Sequence, residues 1–151
     1  MKTRYTLSIC TLLAIQAIAA PSLIGTWKSN KELTIKTIHL PATVTKDAKK
    51  RFENLFGRMT ITYTKSQSIA RMAAYAEFED WESTSSYRIV AETKNKLSIK
   101  GKEQDADEET LETLHFVNQN QYWIELPIGE GQLEGREYFD RQLKPVAEPQ
   151  S

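Results

Sequence analysis

From residue 59 onward, apolar and polar residues alternate with a period of two, and this constrains the chain more than any other feature. In "MTITYT", Met59, Ile61 and Tyr63 fall on one side of an extended backbone and Thr60, Thr62 and Thr64 on the other. Side chains of a strand alternate between its faces, so such a segment has one face to bury and one to leave in water. The alternation continues through "SIARMAAYAEFEDW", where Ala70, Met72, Ala74, Ala76 and Phe78 share one face while Arg71 and Glu77 take the other. Alanine favours helix by propensity, but the strict alternation predicts a strand. Further strands are predicted at "SYRIVAET", "KLSIKGKE", "TLETLHFVN", "QYWIEL" and "GREYFDRQ", divided by polar stretches such as "TKNK", "NQNQ" and "EQDADEE". With residues 24–36 as a first strand, the total is about eight. Strands joined by short turns make a meander, and closing it removes edges that would otherwise pair with other chains. The expected fold is therefore mainly β: an antiparallel up-and-down β-barrel of about eight strands with one short helix after the first strand.

That helix is predicted in "TKDAKKRFENLFG", where Ala48, Phe52, Leu55 and Phe56 form one apolar stripe. Thr45 suits the N-cap, Asp47 lies in the first turn where the helix dipole favours a negative charge, and Gly57 can end the helix in a left-handed conformation. The expected span is 46–56.

The first residues, "MKTRYTLSICTLLAIQAIAAPS", place Lys2 and Arg4 before an apolar run over 7–20, with small residues Ala17 and Ala19 near its end. This is the pattern of a secretory signal peptide cleaved after Ala19, with a run shorter than the ~20 residues a membrane span requires. The domain is then 20–144, followed by a disordered tail over 145–151, and the location is a bacterial periplasm or the exterior. Cys10, the only cysteine, leaves with the leader, so the mature chain depends on its core without disulfides. The 20 basic and 20 acidic residues of the whole chain balance, and loss of Lys2 and Arg4 leaves the remainder slightly acidic, which argues against nucleic acid as a partner.

Two triplets carry a resemblance. "GTW" at 25–27 resembles the Gly-x-Trp that begins the first strand in the calycin superfamily, the lipocalins and fatty-acid-binding proteins, and "REY" at 136–138 is similar to the Arg-x-Tyr that holds a ligand carboxylate in the latter. The helix between the first two strands fits the same order of elements. The resemblance implies a lipocalin-like barrel with Arg136 and Tyr138 as carboxylate ligands. It also implies barrel closure by Gly25, Trp27 and an arginine of the last strand stacked on the tryptophan, with Arg141 the first candidate and Arg136 the second.

An eight-stranded barrel is just wide enough to fill with side chains or to hold one small ligand. If Ala70, Ala74 and Ala76 point inward, room remains, with Met72 as an adaptable wall and Tyr63, Tyr87 and Tyr122 as further lining. Alternatively Met59, Ile61, Tyr63, Tyr87, Ile89, Leu97, Ile99, Tyr122, Ile124 and Leu126 fill the interior. Chemistry is hard to place: His39 and His115 are the only histidines, no cluster has metal-ligand spacing, and "DADEE" lacks the glycine of a calcium loop. No Gly-rich phosphate loop and no Gly-x-Ser-x-Gly occurs, so neither cofactor nor catalytic residues are nominated and a non-enzymatic protein is expected. The leading reading is an exported binder of a small hydrophobic ligand, a carboxylate such as a fatty acid being one form. The alternative is a filled-barrel interaction module whose partner surface involves Trp81, Trp123 or the helix.

Overall fold

A computed structural model of the chain describes residues 20–76, 78–126 and 135–143. The expected leader over 1–19 and tail over 145–151 lie outside the described residues. Eight strands close into one antiparallel barrel in chain order: β1 (Gly25–Ser29), β2 (Met59–Tyr63), β3 (Gln67–Met72), β4 (Trp81–Thr93), β5 (Lys96–Glu103), β6 (Thr110–Asn118), β7 (Gln121–Glu125) and β8 (Arg136–Arg141). Each strand pairs with its sequence neighbours, and β1 pairs with β8 through Trp27 opposite Arg141 and Ser29 opposite Phe139. The turns at 64–66, 94–95 and 119–120 lie at one end, the floor. The connections at 30–58, 73–80 and 104–109 lie at the other, the mouth.

Register decides what is inside. Residues opposite one another on paired strands share a face. Trp27 opposite Ile61, Ile61 opposite Ala70 and Ala70 opposite Ser83 therefore trace one inward row. Tyr87 opposite Gly101, Leu97 opposite Leu114, Phe116 opposite Tyr122 and Tyr122 opposite Phe139 continue the inner face around the barrel. The buried core follows: Leu23, Trp27, Tyr63, Tyr87, Leu97, Ile99, Leu114, Phe116, Tyr122 and Phe139, with Met59, Ile61 and Ile124 packed against it. A bulge between Ile89 and Ala91 breaks the alternation in β4, and Ile89, expected inside, is half exposed.

The first strand is shorter than the sequence predicts. It ends at Ser29, and residues 31–36 belong to a helix, α1 (Lys31–Thr37), so two helices follow β1 where one was expected. Leu33 and Ile35 alternate with polar neighbours, which imitates a strand. The local chemistry is helical: the Asn30 side chain accepts from the Leu33 N–H, Glu32 lies in the first turn and Lys36 in the last. The helix covers an edge. Beyond its pairing with β1, β8 would present bare backbone, but Thr34 Oγ1 accepts the Tyr138 N–H at 3.0 Å and Thr37 Oγ1 the Arg136 N–H at 3.1 Å. Two threonines one turn apart thus replace a strand as partner, and Thr34 is fully buried. The second helix, α2 (Lys46–Glu53), starts at the expected Thr45 cap, whose hydroxyl accepts from the Ala48 N–H.

The alternating stretch after Arg71 is likewise not strand throughout. β3 stops at Met72, and Ala74, Ala76 and Phe78 sit exposed in the β3–β4 connection, where Tyr75 and Phe78 form a single bridge and Ala76 takes a positive φ of 50°. Among the described residues no helix is long and apolar enough to cross a membrane.

Candidate functional site

The floor half of the interior is filled. Trp27 is fully buried, meets Tyr122 edge-on at 4.8 Å and Phe116 at 6.0 Å, and donates its indole N–H to the Leu23 carbonyl at 2.8 Å. Tyr122 in turn stacks on Phe139 at 5.1 Å. Beneath them Arg141 lies with its guanidinium 4.1 Å from the Trp27 ring centroid and donates to the carbonyls of Gln119, Ile24 and Ser22. Gly25 makes room for it: a Cβ there would come within 2.9 Å of the guanidinium, and the φ of 134° is one that side chains rarely tolerate.

The other half is open. A pocket of about 370 Å³ runs from the mouth residues Glu103, Ala106 and Glu108 down the inner faces of β4, β5 and β6 to Tyr63 and Tyr87, with Ser68, Ser85, Ile99, Gly101, Thr110 and Glu112 along it. It exists because the inward positions of β3 and β4 carry small side chains, Ser68, Ala70, Ser83 and Ser85, opposite the aromatic layer. The volume lies near the lower end of the usual ~300–1,000 Å³ for small-molecule sites. Two wider hollows are outside the barrel: one of about 390 Å³ beside α1 and α2, and one of about 670 Å³ beside Lys36, His39, Glu125 and Arg136. Neither contains an ionisable group of the barrel's inner face, and the interior pocket does.

That group is Glu112. It stands opposite Ile99 on β6, shares the inner face with Leu114 and Phe116, and its carboxyl is pushed above the usual glutamate value by burial. Among the described residues it has no ion pair. Glu137 on β8 is the second interior carboxyl. It accepts a hydrogen bond of 2.6 Å from Ser29 Oγ, which itself receives the Gly57 N–H, and its pKa is raised by burial, with Glu112 adding to the rise. Between the two lie the phenols of Tyr63 and Tyr122, both with pKa raised mainly by burial. The Tyr122 hydroxyl is fully enclosed beside the Tyr63 phenol and makes no hydrogen bond of normal geometry among the described residues. Tyr63 meets Tyr87 edge-on at 5.4 Å, and the Tyr87 hydroxyl is satisfied by the Thr64 carbonyl.

The residues singled out in the sequence divide between the two faces. Tyr63, Tyr87 and Tyr122 point inward, and Met72 lies on the inner face near the mouth, opposite Trp81. Gly25, Trp27 and Arg141 meet at the floor. Arg136 and Tyr138, expected to read a ligand carboxylate inside, are on the outer face. Tyr138 pairs with Trp123 across the β7–β8 ladder, and the Arg136 guanidinium lies 4.2 Å from the Trp123 ring centroid. His115 stacks on the same indole at 3.8 Å, with an interplanar angle of 5°. Parity is the physical reason: with Arg141 on the face of Trp27, period two puts Phe139 and Glu137 inside and Tyr138 and Arg136 outside. Glu112 and Glu137 are not among the residues singled out in the sequence. The signal for Glu112 was present in "LETLHFV", where it keeps step with Leu114 and Phe116.

The chain is thus a closed eight-stranded antiparallel barrel with a filled floor and an acidic, partly aromatic pocket at its mouth. No family model, curated protein or solved structure matches it. Among the described residues no group of three histidine, cysteine, aspartate or glutamate side chains is placed to hold a metal ion.

Proposed function

We propose that this is an exported, lipocalin-like binding protein that holds a small molecule in the mouth half of its barrel. The observation that carries this reading is the pocket of about 370 Å³ formed by inward-facing residues of the closed barrel, where a filled core would have none. Small serines on two adjacent strands leave the space, and Tyr63, Tyr87 and Ile99 offer apolar surface to a ligand within it. The carboxylate-reading version loses its residues to the outer face, so an acidic ligand is not part of the proposal.

A native mass spectrum of the protein purified from its own cells, recorded beside a denatured one, tests this. A reproducible extra mass that disappears on denaturation and is missing from Ser85→Phe, which fills the pocket, is the expected result. A bare protein mass together with an undiminished partner complex would favour a second reading, an interaction module. That alternative is supported by the His115–Trp123–Arg136 stack and the exposed Leu111 and Val117 on the outer face of β6.

A further inference from the structure

An unpaired carboxyl in a pocket requires a partner. Burying a carboxylate without a counter-charge is costly, and proteins relieve it by pairing, by hydrogen bonds or by protonation. Glu137 has the Ser29 hydroxyl, whereas Glu112 has only burial acting on it. Among the described lining residues none is Lys or Arg, and Glu103 and Glu108 at the mouth share the sign of Glu112. The field in the pocket therefore repels anions and attracts cations.

Tyr63 and Tyr87 at the base of the pocket add aromatic surface of the kind that attracts cations. An inorganic divalent ion would want several converging oxygen ligands, and no such group is present among the described residues.

We propose that the pocket selects an organic cation, a protonated amine on a small apolar or aromatic body, with its ammonium paired to Glu112 beside the rings of Tyr63 and Tyr87. The inference rests on the pocket-binding reading and deepens it. The amine end reaches the carboxyl and the phenols, and the body lies against Ile99 and Tyr87.

Three probes that share a phenethyl group and differ in charge test this: phenethylamine, phenethyl alcohol and hydrocinnamate, each titrated into the purified protein at neutral pH by NMR. The amine is expected to bind about tenfold or more tighter than the alcohol, in line with a charge-assisted hydrogen bond in a partly desolvated site. The carboxylate is expected to bind more weakly than either. Glu112→Gln should bring the amine down to the alcohol's affinity while leaving the alcohol unchanged. Amine and alcohol binding equally, or the carboxylate binding best, overturns the cation inference and leaves the pocket reading standing. Failure of all three probes overturns the pocket reading and the inference with it. The ranking on the unsubstituted protein decides the matter even if Glu112→Gln does not fold.

Discussion

Replacing Arg141 by Lys separates two ways of closing the barrel floor, by charge alone or by the planar fork of a guanidinium. The Arg141 Nε donates to the Gln119 carbonyl at 3.0 Å and one terminal nitrogen to Ile24 at 2.8 Å, while the other reaches Ser22, so one side chain ties the β6–β7 turn to the segment entering β1. The same plane lies over Trp27. Each hydrogen bond contributes about 0.5–1.5 kcal/mol net, with the low end appropriate to a partly solvated group, and the stack about 0.5–1 kcal/mol. Arg141→Ala should therefore lose about 2–3 kcal/mol. A lysine amine is a point donor that can serve one of these carbonyls but neither fork nor stack in the same geometry, so Arg141→Lys should still lose about 1–2 kcal/mol. For a domain of this size that lowers the melting midpoint by roughly 3–8 °C. Urea unfolding followed by far-ultraviolet circular dichroism reads both variants, and an unchanged slope shows that stability alone has moved. A lysine variant as stable as the wild type would refute the staple and leave only a need for positive charge.

Three further outcomes follow from the same structure. Thr34→Val keeps the shape but strands the Tyr138 N–H at the covered edge of β8, and should destabilise by about 1–3 kcal/mol in urea unfolding, with Thr34→Ser restoring most of it. Tyr122→Phe removes an enclosed hydroxyl that makes no hydrogen bond of normal geometry, so its thermal midpoint should equal or exceed that of the wild type; a clear fall would show that its approach to the Tyr63 phenol is a stabilising hydrogen bond. The third concerns pH. Glu112 is faced by Tyr63, Tyr122 and Glu137, with Glu103 and Glu108 in the same pocket, and its carboxyl is raised by burial. A carboxyl raised in the folded state stabilises the fold below its ordinary value of 4.5, and that contribution is lost as pH rises through the higher folded value. Stability should fall from mild acid toward neutral pH, and Glu112→Gln should flatten that fall and melt higher than the wild type at neutral pH.

Much of this fold is legible in the sequence because period two is a local signal. The strands at 96–103 and 110–118 stand where the alternation puts them, and α2 starts at the Thr45 cap. What the alternation conceals is the short helix α1. Leu33 and Ile35 imitate a strand, and only the Asn30 cap and the charges at the two ends betray a helix whose threonines serve a strand about a hundred positions away in sequence. Alanines 74 and 76 mislead in the same way, because alternation says which side a residue would face but not where pairing stops. The floor and the mouth of β8 show what parity can still decide. Arg136 and Arg141 are five apart and cannot share a face of a regular strand, so reading Arg141 against Trp27 already excludes Arg136 and Tyr138 from the interior. The acidic character of the pocket was equally available in the step of Glu112 with Leu114 and Phe116. It was hidden by the expectation that a charged residue on a strand faces water.

A backbone amide NMR titration with phenethylamine tests whether the ligand site is inside the barrel. The expected shifts are concentrated on Ser85, Ile99, Gly101 and Glu112, with Leu111, His115 and Trp123 unmoved. Shifts confined to His115, Trp123 and Arg136, or none with any of the three phenethyl probes at saturation, would contradict it.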